Sequence, residues 1–329
     1  MRPMSRAVVG ALLSCLFLVA AGCGGPADRE SGEGGGAFPV TVPNAYGDTV
    51  VKAKPKRVVS IGYHEHDILL ALGARPVALQ QWIAEFDGGV GPWAEPLLGD
   101  AKPVVLPSTA TELNMGQIAK LRPDLIVGTY RNVSESDYEL LSKMAPTLVR
   151  PKRYTDYAVP YDVETMMIGK ALGKERQAKA LVAATKRSFD DARKAHPEFA
   201  GKTAVLAYPL ENGGLGVYRG DEPRSEFLTG LGFTVPKAVD DVVGDQIYRE
   251  LSPERIDVVG DVDLLVIIDF GQPKDHFARN EVFQELDVAK RGHYVYPLPH
   301  TNAVVHNDVR SIPYCVDKLA PLLAETLEK

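Results

Sequence analysis

The sequence predicts an α/β protein of two similar lobes, each with a parallel-rich central sheet, joined by one long helix. Three observations carry this. From 38 to 161, short β-branched runs alternate with helical patterns, the rhythm of a parallel sheet with helices on its faces. At 162 the rhythm stops, two helical stretches follow each other with no strand between them, and it restarts at about 200. The second half then echoes the first: MGQIAKLRPDLIVG (115–128) and PERIDVVGDVDLLVI (253–267) both read helix, polar break with an acidic residue, apolar strand. The remaining chain of about 290 residues is too long for one ordinary core, which agrees with two lobes.

The chain opens with a leader rather than with the fold. Arg2 and Arg6 precede an apolar stretch at 7–21 in which Gly10 and Ser14 are the only weakly polar members. About fifteen apolar residues make a signal-peptide core and fall short of the roughly twenty that a membrane span needs. The stretch ends in Ala20, Ala21, Gly22 and Cys23, small residues ahead of a cysteine that resemble a bacterial lipobox. In such a sequence Cys23 takes a diacylglycerol thioether and becomes the new N-terminus. At about 0.8 kcal/mol per buried methylene, two or three long acyl chains hold a protein firmly on a membrane. Residues 24–37, GGPADRESGEGGGA, are Gly-rich and polar without a period, which predicts a flexible tether.

Loss of Arg2 and Arg6 from the 37 basic residues leaves 35 against 43 acidic ones, a net charge of −8 for the exported chain. That balance argues against nucleic acid as a partner. Of the three cysteines, Cys15 leaves with the leader and Cys23 carries lipid. Cys315 remains alone, so no disulfide framework is expected, and its apolar helical setting makes it a small buried hydrophobe.

Within the first lobe, 38–161, the strands are predicted at 58–61, 76–79, 125–127 and 147–149. Helices are predicted at 66–72, stopped by Gly73, and at 115–121, with Gly73 a good left-handed cap. DVETMMIGKALG (162–173) is one linker helix. Residues 174–196 form a second, with Ala178, Leu181, Val182, Phe189 and Ala192 as its apolar stripe. At 1.5 Å per residue it is roughly 33 Å long, a stiff spacer that limits lobe movement to a small hinge. The linker is read to 199 and the second lobe as 200–329. That lobe has strands at 203–206, within 263–271 and at 294–296, and helices at 225–231, 253–259, 280–286 and 313–327.

Five stretches in order resemble the ferric-siderophore and cobalamin binding proteins of ABC importers, the ferrichrome and ferric-citrate group. They are KRVVSIGYHEHDILLALGARPVAL (56–79), LRPDLIVG (121–128), LSPERIDVVGDVDLLVI (251–267), NEVFQELDVAKRGHYVYPL (280–298) and PYCVDKLAPLLAETL (313–327). The likeness runs over about 50–329, and the opening stretch is most similar to actinobacterial ferric-siderophore lipoproteins. It implies the class III, helical-backbone periplasmic binding protein fold. It also implies a monomeric, non-catalytic receptor anchored through Cys23 on the outer face of the cytoplasmic membrane, with an ABC permease as partner and no cofactor of its own. In this family a glutamate at a helix start of each lobe pairs with permease arginines. Glu254 matches the second-lobe position; the first-lobe position holds Gly116, and Glu112, four residues earlier, is the candidate there.

YHEHD (63–67) raises the question of metal. Ligation needs three or four converging donors. His64 and His66 are two apart across a strand-to-helix turn, and His276, His293, His300 and His306 are distant in sequence. No Gly-x-Ser-x-Gly elbow, HExxH or phosphate loop points to an enzyme, and GGLGVYRG (213–220) lacks the strand-to-helix context of a dinucleotide fingerprint. Ligands of parallel α/β sheets bind outside the carboxyl ends of the strands. The residues there are Tyr63, His64 and His66, then Trp82, then Tyr130 and Arg131. In the second lobe they are Tyr208, then Tyr218, Arg219 and Arg224, then Phe270, then His300 and Asn302. Asp67 is expected to serve its helix as an N-terminal carboxylate. A bare divalent ion wants a tight shell of carboxylates and imidazoles. Aromatic walls with a few arginines suit a ferric siderophore that already holds its iron, hydroxamate or mixed-chelate rather than a strongly anionic tris-catecholate. Cobalamin, haem and a divalent metal held by His64 and His66 stay open as alternatives on the same architecture.

Overall fold

The computed structural model describes residues 38–81, 86–107, 112–268 and 275–329. The leader, Cys23 and the tether lie outside the described residues, as do the cleft candidates Trp82 and Phe270. The first half runs β1 (Val40–Asn44), β2 (Gly47–Val51), β3 (Val58–Ser60), α1 (Glu65–Ala71), β4 (Ala78–Gln80), β5 (Val104–Leu106), α2 (Met115–Lys120), β6 (Leu125–Gly128), α3 (Glu135–Met144) and β7 (Thr147–Val149). β1 and β2 pair as an antiparallel hairpin. The other five strands make a wholly parallel sheet in the order β5-β4-β3-β6-β7. Its central strands are apolar on both faces: Val58, Val59, Leu125, Ile126, Val127 and Leu148 are all buried, as helices on both sides require.

Two helices lead into the second half, α4 (Tyr161–Ala171) and α5 (Glu175–Ala195). They pack closely at Gly169, where a Cβ would lie 2.4 Å from the Ala178 Cβ. The predicted stripe is real: Ala178, Phe189 and Ala192 are buried, and Leu181 and Val182 pack against the same core. α5 is therefore more than a spacer, because its apolar face joins a core that continues through both sheets. The Lys174 ammonium donates to the Leu72 carbonyl at 2.5 Å and ties the start of α5 to the end of α1.

The second half runs β8 (Ala204–Pro209), β9 (Leu215–Tyr218), α6 (Glu226–Gly230), α7 (Lys237–Val243), β10 (Tyr248–Leu251), β11 (Leu264–Ile267), α8 (Asp275–Ala278), α9 (Glu281–Gln284), α10 (Asp287–Lys290), β12 (Tyr294–Val295), α11 (Thr301–His306) and α12 (Ser311–Leu327). The sheet order is β10-β9-β8-β11-β12. β8, β11 and β12 are parallel, and β9 and β10 extend them antiparallel. GGLGVYRG, read as glycine-rich sequence, is thus a strand. Gly216 is required there because a Cβ would meet the Tyr208 ring at 2.1 Å. The expected helix at 253–259 is a 3-10 helix, Pro253–Val259. Cys315 is free and buried in α12.

The echoed acidic residue has the same task in both halves. Asp124 accepts from the Lys56 and Arg57 amides at 2.8 and 2.7 Å, fixing β3 beside β6. Asp263 accepts from the Thr203 amide and hydroxyl at 2.8 and 3.0 Å, fixing β8 beside β11.

Candidate functional site

α1 starts immediately beyond the carboxyl end of β3, and the four residues at its start, His64, Glu65, His66 and Asp67, are all buried. Gly62 leaves room for the Glu65 carboxylate to turn back, where it accepts from the Tyr130 amide at 2.8 Å. The His64 Nε2 lies 2.8 Å from Glu164 Oε2 on α4, and its Nδ1–H donates to the His306 carbonyl on α11. Burial alone would lower its pKa, but the charge and hydrogen bond of Glu164, with Glu65 and Asp308 nearby, lift it to about 9. His64 is therefore an imidazolium at neutral pH. The Thr129 hydroxyl donates to the other Glu164 oxygen at 2.5 Å. Burial and the Glu164 charge push Glu65 up to about 7.

One turn further on, Asp67 Oδ2 accepts from the Trp93 indole N–H at 2.5 Å and lies 3.2 Å from His306 Nδ1. His66 Nε2 is 3.6 Å from Asp67 Oδ1. Burial lowers His66 to about 4 and His306 to about 3, so both rings are neutral. Asp308, buried beside them, is raised to about 7 by burial and by the Asp67 charge.

A layer of rings and guanidinium groups adjoins these carboxylates. Tyr63 is half-buried and stacks on Tyr157 at 6.0 Å, with the Arg131 guanidinium 5.6 Å from its ring centre. Arg131 also donates to the Ile61 carbonyl at 3.2 Å. Tyr130 is buried against His64 at 4.0 Å. From the second half, Arg224 places its guanidinium 5.6 Å from the Tyr130 ring and 5.3 Å from the Tyr218 ring. It is ion-paired with buried Glu222, whose carboxylate also accepts from the Arg224 amide at 2.8 Å. Burial raises Glu222 while Arg224 pulls it back down. Tyr208 lies 5.7 Å from Tyr218, and its hydroxyl donates to Glu250 at 3.3 Å.

The structure thus brings together Tyr63, His64, Tyr130, Arg131, Tyr218 and Arg224, with Tyr208 at the edge. It separates Arg219 from them: that guanidinium is committed to Asp221 and to the Gly244 carbonyl at 3.0 Å. His300 pairs with the Tyr314 hydroxyl at 3.0 Å against α12 instead of joining the rings. Two expectations are corrected. His64 does not line an open wall, because both ring nitrogens are used inside the protein. Asp67 does stand in the first turn of α1 as expected, and it also accepts from Trp93. His64 and His66 do not form a pair, since His64 is held by Glu164 and His306 while His66 faces Asp67. Glu254 is exposed in the first turn after β10, with Ser252 hydrogen-bonding its carboxylate and lowering its pKa. Glu112 is also exposed, just ahead of Asn114, which caps α2.

Sequence reasoning missed Trp93, Tyr157, Glu164, Glu222, His306 and Asp308. One signal for Glu164 was present: it shares an i, i+4, i+7 face with Ile168 and Ala171, all buried, and a carboxylate on a core stripe demands a partner.

Residues 58–300 match the model of a family described as "Periplasmic binding protein". Over 286 residues the chain is 26% identical to the "Fe(3+)-citrate-binding protein YfmC" of Bacillus subtilis, covering 85% of each. It is 27% identical over 267 residues to the "Probable siderophore-binding lipoprotein YfiY" of the same organism, covering 80% of this chain and 78% of the relative. A crystal structure of a periplasmic solute binding protein from Mycobacterium smegmatis superposes with a TM-score of 0.78 at 30% identity, over 88% of this chain and 99% of the other.

Proposed function

Because the chain belongs to the periplasmic binding protein family, we propose that it captures a ferric siderophore and delivers it to an ABC permease while anchored through Cys23 to the outer face of the membrane. The two Bacillus relatives, named for ferric citrate and for a siderophore, support the cargo class. The name of one of them as a lipoprotein agrees with the lipobox. No helix among the described residues is long and apolar enough to cross a membrane.

The observation that carries the reading is the meeting of two guanidinium groups, Arg131 and Arg224, with tyrosine rings from both halves. Rings cover the organic part of a chelate, and guanidinium groups meet the partial negative charge of its iron-binding oxygens. Two such groups, one already neutralised by Glu222, favour a near-neutral hydroxamate or mixed chelate over a highly anionic one. Tyr130, Arg131 and Arg224 are buried, so cargo reaches them as the lobes part around α5.

Tryptophan fluorescence tests this. A ferric trihydroxamate complex should quench emission saturably, while haem and cobalamin should not; saturation by either of those, with no response to any ferric siderophore, would overturn the proposal. Arg131→Ala should weaken siderophore binding about 10- to 150-fold, the loss of one charge-assisted hydrogen bond.

Delivery is separable from capture. Glu254 is exposed and outside the ring cluster. Glu254→Ala should leave affinity within a factor of about two yet reduce iron uptake in cells that rely on this receptor. Glu112→Ala should reduce uptake as well; normal uptake would place docking on the second lobe alone. Loss of siderophore affinity in Glu254→Ala would show that Glu254 serves capture instead.

A further inference from the structure

We propose that His66, Asp67 and His306 form a resident site for a divalent transition-metal ion of the zinc class, which clasps the two halves of the protein together and is distinct from the transported cargo. One ligand atom of each residue lies within 4.8 Å of the others, and all three residues are buried. The nearest approaches run to the two different Asp67 oxygens: 3.6 Å from His66 Nε2 to Oδ1 and 3.2 Å from His306 Nδ1 to Oδ2. Donors about 2.1 Å from a tetrahedral ion stand roughly 3.4 Å apart, so one ligand atom from each residue, all within 4.8 Å of one another, needs to draw in by no more than about 1.4 Å around a metal.

The cluster also carries unspent polar capacity. Among the described residues neither ring nitrogen of His66 has a hydrogen-bond partner, nor does Asp67 Oδ1, although both residues are fully buried. Buried polar atoms are normally satisfied, and an unpartnered His66 Nε2 standing 3.6 Å from an unpartnered Asp67 Oδ1 indicates a missing partner that accepts lone pairs.

Charge points the same way. Asp67 and Asp308 oppose each other in the buried cluster, and Glu65 and Glu164 do so beside them. The nearby imidazolium His64 is already committed to Glu164. A divalent cation on Asp67 relieves the remaining surplus. The Trp93 indole N–H on Asp67 Oδ2 is the outer contact that orients a metal-binding carboxylate. Two imidazoles and one carboxylate suit zinc or cobalt(II) over calcium or magnesium, which prefer oxygen shells. Since α1 belongs to the first half and α11 to the second, the ion would bridge them, and its complete burial suits retention rather than transport.

The test uses the detergent-solubilised full-length lipoprotein, stripped with chelator and dialysed against zinc or cobalt(II) chloride without siderophore. One equivalent of metal should be retained, and the cobalt form should show the intense visible absorption of a four-coordinate site. His66→Gln and His306→Gln should each lower retention at least 10-fold, while His300→Gln should keep it. Absence of retained metal in the wild type, or wild-type retention by both variants, overturns the site. Should the variants fail to fold, the wild-type cobalt spectrum decides: a weak six-coordinate aquo-like spectrum overturns the proposal and a four-coordinate one upholds it. Siderophore quenching is read separately, so this site and the cargo assignment can fail independently.

Discussion

Truncating Arg224 to alanine should destabilise the protein by about 3–5 kcal/mol, the usual cost of removing one partner from a buried ion pair. Its melting temperature should fall by on the order of 10 °C. The reason lies in what stays behind. Glu222 is 2% exposed, and without Arg224 its carboxylate is left with the Arg224 and Ser225 amides in a low-dielectric setting. The guanidinium also fills the space between Tyr130 and Tyr218, so its loss opens a gap between the two halves. Arg224→Lys should recover part of the stability through its charge but not the planar contact with two rings. The double variant Arg224→Ala/Glu222→Gln should be more stable than Arg224→Ala alone, because no buried charge remains unpaired. Denaturant unfolding of the four proteins measures this. If Arg224→Ala unfolds within about 1 kcal/mol of wild type, Glu222 is not isolated in the way the structure shows. Siderophore quenching should be lost in Arg224→Ala even at temperatures where it remains folded.

Arg224 also shows which parts of the site were open to sequence reasoning. It is expected there because it follows a strand of an α/β sheet, and ligands of such sheets gather at strand ends. The same rule names Tyr63, Tyr130, Arg131 and Tyr218, which the structure sets near it, although Tyr218 lies within the antiparallel strand β9. It failed for Arg219, one residue beyond Tyr218, because a loop guanidinium takes the nearest carboxylate, and Asp221 is two residues away. It failed differently for His64, whose position at the strand end was right. What sequence could not show was Glu164, which reaches His64 from a helix a hundred residues later.

At the level of elements, long-period signals were read well. α5 was legible because its stripe repeats over about four turns, and β6 and β11 because a short apolar run follows an acidic break. β5, β9 and β10 were missed because partners hold them rather than their own pattern: Val104 and Val105 are exposed, and β9 contains a glycine. α3 was missed although Ser134 caps it, since its residues offer one buried side chain, Leu141. Hydrophobic periodicity is weak where a helix buries so little.

The His64–Glu164 pair should respond asymmetrically to truncation. His64→Ala should cost about 3–5 kcal/mol, because Glu164 and Glu65 would then face each other in a buried space without the imidazolium between them. Glu164→Ala should cost less, about 1–3 kcal/mol. Without its carboxylate partner His64 can release a proton and remain as a neutral ring, whose Nδ1–H still donates to the His306 carbonyl. The double variant should then be no worse than His64→Ala, giving a coupling energy of on the order of 1–3 kcal/mol by double-mutant cycle. Hydrogen exchange gives a second reading of the same contact. The His306 carbonyl lies at the end of α11, so His64→Ala should speed exchange in α11 while leaving unchanged the amides of α3, which packs on the edge strand β7. Equal costs for the two single variants, with additive energies in the double, would mean that His64 and Glu164 act through separate partners. The pairing across the halves would then rest on other contacts, Arg224 with Tyr130 and Asp67 with His306 among them.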